Sequence, residues 1–171
     1  MYKYLIYFLA FSFLGWLLEV IYSALKTGRF INRGLCFGPF CPIYGVGICL
    51  SYLLLSGVDS FILLALFSMA IATLVEFLVG LFADRVLGER LWDYSLEGGN
   101  ILGYVCPRFS VIWGIAIAAV IRIIPLFDYL ILSLNAPVWY AVFLSLFVGV
   151  MVDVKLSLLK RGGGIKVKYD N

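Results

Sequence analysis

The chain has 171 residues, of which 64% are hydrophobic and only 13% charged, with a formal net charge of +3. A soluble domain carries about 25% charged residues, whereas the apolar residues here come in runs near or above the roughly 20 needed to cross a bilayer. That excludes a soluble globular protein and a nucleic-acid binder, and residues 1–171 read as one all-α, polytopic integral membrane domain with lipid as its main solvent.

Five transmembrane helices are predicted, in the order 4–25, 39–58, 60–83, 101–124 and 136–157. The first carries Glu19 and has no small-x-small cleavage site before Lys26, so it reads as a span rather than a removable signal peptide. The second opens with Gly38-Pro39 and Pro42. Its first turn is expected to be irregular, which survives at membrane depth only under a cover of protein or water. The third carries Glu76. After the fourth, Pro125–Pro137 is too short to span. It is expected along the outer surface, with Phe127, Tyr129, Trp139 and Tyr140 near the interface. The fifth helix leads into a basic tail, 158–171.

Orientation follows from the basic residues. One set of connections holds Lys26, Arg29, Arg33, Arg85, Arg90, Arg108, Lys155, Lys160, Arg161, Lys166 and Lys168, and the other only Lys3 and Arg122. The N-terminus is expected outside and the C-terminus in the cytoplasm of a plasma membrane. Cys36, Cys41 and Cys106 then lie near the reducing face. The chain has no histidine and no Cys-x-x-Cys pair, so neither a zinc site nor another cofactor is expected.

Two halves of the chain resemble each other. Repeat one, about 4–58, runs Glu19, a basic loop, Cys41-Pro42, then Tyr44-Gly45. Repeat two, about 60–124, runs Glu76, a charged loop, Cys106-Pro107, then Trp113-Gly114. Both units start outside, so they are parallel two-helix repeats related by an axis along the membrane normal, with the fifth helix outside the repeat. Small residues recur on one stripe of each helix, among them Ser12 and Gly15 on the first and Ala72 and Gly80 on the third. Such stripes let helix backbones approach closely in lipid.

The glutamates carry the functional question, because a carboxyl at membrane depth costs several kcal/mol unless it is paired or faces a cavity. Candidate partners sit at the cytoplasmic ends: Arg29, Asn32 and Arg33 in the first loop, Asp93, Tyr94 and Asn100 in the second, and Arg108 and Ser110 at the mouth of the fourth helix, and Tyr44 near the start of the second helix is counted among the site residues. The preferred pairs are Glu19 with Arg29 or Arg33, and Glu76 with Arg108, since Arg grips a carboxylate through two hydrogen bonds. Three roles stay open: a neutralised structural network, a substrate or ion site open to the cytoplasm, and acid–base catalysis. Trp92-Asp93-Tyr94-Ser95 reads first as an interfacial element. The Cys-Pro pairs read as helix starts, because Pro suits a first turn.

Gly15-Trp16-x-x-Glu19, Asn32-Arg33-Gly34, Gly38-Pro39, Pro42-Ile43-Tyr44-Gly45, Glu76, Trp92-Asp93-Tyr94-Ser95, Asn100-x-x-Gly103 and Ser110-x-x-Trp113-Gly114 lie in this order along the chain. In these motifs, over about residues 11–115, the chain resembles the family called putative ABC-transporter type IV, or CmpB-like. Its members are small bacterial membrane proteins often described as permeases, so the resemblance implies transport. The chain has no phosphate-binding loop of the Gly-x-x-x-x-Gly-Lys-Ser/Thr kind, and a permease of this sort needs a separate nucleotide-binding subunit.

The expected function is therefore transport-type. The polar site near the cytoplasmic leaflet would bind a small solute, an ion or a lipid headgroup. Five helices enclose little volume, so a homo-oligomer among membrane lipids is expected. The alternatives are an enzyme or binding protein for phospholipid headgroups, and a non-catalytic scaffold subunit.

Overall fold

The computed structural model describes residues 2–30, 36–132 and 136–162, and these form a bundle of helices. They are α1 (Tyr2–Thr27), α2 (Pro42–Leu55), α3 (Phe61–Phe82), α4 (Pro107–Leu132) and α5 (Ala136–Gly162), with a π-helical turn at Ala83–Leu87 prolonging α3. Four of the five are long and apolar enough to cross a membrane: Lys3–Thr27, Phe61–Leu87, Pro107–Tyr129 and Trp139–Lys160. The protein is a multi-pass membrane protein. At 14 residues, α2 spans about 21 Å at 1.5 Å per residue, less than the roughly 30 Å of a hydrocarbon core.

Local chemistry sets the helix ends. Gly28 closes α1 in the left-handed conformation (φ 70°), with its N–H donating to the Ala24 carbonyl at 2.8 Å. Ser60 caps α3 by accepting from the Leu63 amide. Gly88 (φ 67°) ends the π-helical turn.

Two boundaries differ from the sequence expectation. The fourth helix begins at Pro107, not 101, because Gly99, Leu102 and Gly103 take positive φ and turn the chain back on itself. Ile101 and Val105 pair there as an isolated antiparallel bridge. The same helix does not stop at 124. It continues through Pro125 to Leu132, so this part of Pro125–Pro137 prolongs α4 rather than forming a separate segment. Proline removes one backbone hydrogen bond, which membrane helices tolerate when neighbours stabilise the segment. Here Asp128 supplies that anchorage, through Lys3 of α1 and Tyr52 of α2.

The irregular start of α2 is confirmed and is covered. The Cys41 amide donates to the Ser12 carbonyl of α1 at 2.8 Å. The amides of Phe37 and Gly38 donate to Asp153 of α5 at 3.1 and 2.8 Å. These bonds satisfy backbone groups that no helix serves.

The closest pairings are α1 with α2 and α3 with α4, and α2 also lies against α3. Glycine makes both close pairings feasible. A Cβ at Gly45 would meet the Phe8 carbonyl at 2.5 Å and also strike Ser12, and one at Gly114 would meet the Ala65 carbonyl at 2.7 Å and Met69 at 2.6 Å. The buried centre between the pairs holds Tyr7, Tyr52, Leu64, Ile117, Ala118 and Ile124.

Candidate functional site: two carboxylates and their tyrosines

Glu19 and Glu76 lie in one region at one end of the bundle, linked through the contact of Tyr44 with Trp113. Glu19, half-buried on α1, accepts a hydrogen bond from the Tyr44 hydroxyl at 2.7 Å. Gly15 makes the contact feasible, because any side chain one turn earlier would collide with the Tyr44 ring. Glu76, 8% exposed, accepts from the Tyr94 hydroxyl at 2.9 Å through Oε1. Its Oε2 is buried and has no hydrogen-bond partner among the described residues. The Trp113 side chain faces the same carboxylate, and Glu19 is near enough for the two charges to repel. The rings of Tyr44 and Trp113 meet edge to face at 5.3 Å, so α2 and α4 bring the two acids' aromatic neighbours into contact.

Tyr94 reaches Glu76 because the loop after the π-helical turn is tied to itself. Its own amide donates to the Gly103 carbonyl at 2.9 Å, and the Trp92 indole N–H to the Tyr104 carbonyl at 2.7 Å. Asp93 accepts from the Ser95 amide at 2.9 Å and from Arg90 at 3.0 Å. The Ser95 hydroxyl and amide, with Arg90 beside them, hold the Asp93 carboxyl below the usual carboxylate range. The Asn100 side chain donates to Glu97 and Ser95 carbonyls and accepts from the Gly103 amide. The Tyr94 ring stacks on Phe109 at 4.8 Å. Burial and the neighbouring Glu76 push the Tyr94 phenol well above its usual range, so it stays a proton donor.

The expected site residues thus fall into three groups. Glu19, Tyr44, Glu76 and Tyr94 come together. Asp93 and Asn100 build the loop that carries Tyr94, and Ser110 is buried in the first turn of α4. Arg29 and Arg108 do not join. Arg29 is exposed at the end of α1 and forms no ion pair with either glutamate. Arg108 points at Glu97, 3.6 Å away, and not at Glu76. The pairing expected for Glu76 is therefore corrected, because Pro107 starts the helix with Arg108 on its outward side, where its side chain is 69% exposed. Asn32 and Arg33 lie outside the described residues. Among the described residues no Lys or Arg comes within ion-pairing distance of Glu19 or Glu76.

Sequence reasoning passed over Trp113 as a neighbour of Glu76, and two further acids. Asp128 forms a knot at the other end of the bundle, bound by Lys3 at 3.2 Å, by Tyr52 at 3.0 Å and by the Tyr7 hydroxyl. Asp153 of α5 clamps the Phe37 and Gly38 amides. Each is the only acid in a long apolar stretch, which is the signal that singled out Glu19 and Glu76.

The cysteines show no sign of nucleophilic chemistry. Cys106 is 1% exposed, and Cys41 has Glu19 rather than a cation as its charged neighbour, the reverse of what favours a thiolate. Among the described residues no group of three or more metal-ligating side chains occurs.

Fold and site define a multi-pass membrane protein with two acids from different helix pairs, each bonded to a tyrosine hydroxyl and set among packed aromatic rings. The chain belongs to the family described as Putative ABC-transporter type IV, whose model matches residues 6–158. No curated protein matches the sequence. No solved structure matches it.

Proposed function

We propose that the protein is a permease-like membrane subunit that binds a small solute in the cleft between Glu19 and Glu76. One observation carries this reading: two carboxylates from different helix pairs converge, each held by a phenol, with no basic residue among the described ones to neutralise them. A buried polar atom without a partner costs about 1–3 kcal/mol; Glu76 Oε2 meets no donor in full hydrogen-bond geometry among the described residues, with the Trp113 side chain beside the carboxylate. The phosphate-headgroup alternative needs arginines beside the two acids, but among the described residues Arg90 is engaged by Asp84 and Asp93, Arg108 by Glu97, and no Lys or Arg lies within ion-pairing distance of Glu19 or Glu76.

In this reading the chain crosses the plasma membrane five times, α2 making its crossing with help from the irregular stretch before it. The N-terminus is outside and the C-terminus in the cytoplasm, as the basic residues require. The two helix pairs are parallel repeats. What supports the repeat is register: Gly45 sits on Ser12 and Phe8, Gly114 sits on Met69 and Ala65, and these stand at the same steps before Glu19 and Glu76. Tyr44 and Trp113, each preceding its glycine, are then equivalent, and each faces the glutamate of its own repeat. The Cys-Pro pairs are not equivalent, being offset by one helical turn. Energy would come from a separate nucleotide-binding subunit, and the assembly would be an oligomer in lipid.

Reconstitution into proteoliposomes tests the proposal. Uptake or current should be present in the wild type and lost in Glu19→Gln and Glu76→Gln. A wild type silent towards ions and small metabolites, both alone and with the partners cross-linked to it in native membranes, refutes it.

A further inference from the structure

We propose that an anionic phospholipid docks in a groove between the end of α3 and α5, with one acyl chain along the groove and its phosphate on Lys155. The site stands apart from Glu19 and Glu76 and does not depend on the role proposed for them. Of the four long helices, α5 is the least buried. Where it passes the π-helical turn at Ala83–Leu87, an open groove of about 440 Å³ remains. Phe82 and Val86, four residues apart, line one side, and Met151, Val154, Leu158 and Leu159 line the other. Lys155 lines the same groove. The spacing 151, 154, 155, 158 and 159 puts these α5 residues on one face, so the cation sits within an apolar stripe.

Position and charge together select the occupant. Every lining residue falls within the apolar spans Phe61–Leu87 and Trp139–Lys160, so the groove opens towards lipid. Phe82, Val86, Met151 and Leu159 are all exposed there. Lys155 is exposed too. It lies five residues before the end of its span, about 7.5 Å at the helical rise, so its own side chain reaches the headgroup level. A lysine at this depth is costly unless it reaches the interface or meets an anion, and a lipid phosphate answers both needs. The acids nearest in sequence are turned to other partners, Asp153 to the Phe37 and Gly38 amides and Asp84 to Tyr104 and Arg90. Among the described residues Lys155 forms no ion pair. Arg85, exposed next to Val86 in the chain, adds positive charge at the same end. An ammonium binds phosphate as a point charge, while the apolar walls take the acyl chain. A free phosphate would leave those walls empty. A second copy's apolar helix would cover Lys155 without a counter-charge. Residues 163–171 bring two lysines against one aspartate and complement it poorly.

The test is native mass spectrometry of the delipidated full-length protein, titrated with dioleoylphosphatidylglycerol or with dioleoylphosphatidylcholine. The anionic lipid should bind more tightly than the zwitterionic one. Lys155→Gln should weaken the anionic lipid about fivefold, the worth of one lysine beside an anionic headgroup, and leave the zwitterionic one unchanged. Lys155→Arg should keep the preference. Lys160, whose ammonium lies over the Phe37 ring at 4.9 Å, is the control, and Lys160→Gln should change little. Val154→Trp fills the groove and should weaken both lipids, with size-exclusion profiles showing that the variant is folded and the Lys155 variants standing in should it not be. Glycerophosphate, the headgroup chemistry without acyl chains, should not compete. Equal binding of the two lipids, equal losses in Lys155→Gln and Lys160→Gln, or full competition by glycerophosphate would overturn the inference. Two further outcomes would overturn it by giving the groove another occupant. A lipid preference that emerges only after removal of residues 163–171 would assign the groove to that segment, and a dimer lost in Val154→Trp would assign it to a second copy.

Discussion

The two ends of the bundle use the same chemistry for opposite ends. At one, Asp128 gathers Tyr7, Tyr52 and Lys3; at the other, Glu19 and Glu76 gather Tyr44 and Tyr94. The two clusters stand apart along α1, Lys3 and Glu19 being about 24 Å from one another at the helical rise. The difference is the cation. Lys3 neutralises Asp128, and every oxygen of that carboxylate is bonded. The other cluster has two acids, no basic partner among the described residues, and one carboxylate oxygen without a hydrogen bond among them. A balanced cluster ties helices together, while an unbalanced one is costly unless something positive arrives.

That contrast is sharpest at Glu76. Glu76→Gln keeps the shape and removes the charge, so the thermal midpoint in detergent should hold or rise while ligand binding falls on the order of tenfold or more. A drop in stability with binding preserved would place the cleft in the same class as the knot. Asp128→Ala should do the opposite. It strands Lys3 and two phenols, and should cost about 1–2 kcal/mol, discounted for the partial exposure of the pair. Binding by the protein that remains folded should be unchanged.

A smaller effect is expected at the third acid. Asp153→Ala releases the Phe37 and Gly38 amides, a loss of about 1 kcal/mol. The readout is alkylation of Cys36, which is 2% exposed and should react faster once the clamp is gone. Unchanged labelling would mean that the start of α2 is held by Ser12 alone. The smallest effect belongs to Arg108→Ala. Its exposed pair with Glu97 is worth less than about 0.5 kcal/mol, and binding should be the same as wild type. A large loss of binding there would restore Arg108 as the counter-ion of Glu76.

Much of this was legible in the chain. The apolar runs predicted the four long helices and the fifth, shorter one. Gly38-Pro39 and Pro42 predicted the irregular entry to α2. Glu19 and Glu76 stood out because acids are rare in such surroundings, and Tyr44 and Tyr94 were named with them. Asp128 was hidden by Pro125, which reads as a helix end when only local hydrogen bonding is considered. The helix continues because contacts from α1 and α2 hold the segment beyond it. Arg108 was misjudged because sequence distance to Glu76 says nothing of the side of α4 on which it emerges. Leu102 and the glycines around it set that side by turning the chain before Pro107.

Composition and periodicity by themselves determined that this is a membrane protein, where most of its helices run, and which two acids demand a reason. These follow from transfer free energies, which are properties of residues and short segments. Which cation meets which acid was decided only by the tertiary structure. Ion pairs and hydrogen bonds act over a few ångströms between side chains on different helices, and one turn of register decides whether an acid is neutralised, as Asp128 is, or left to bind something else.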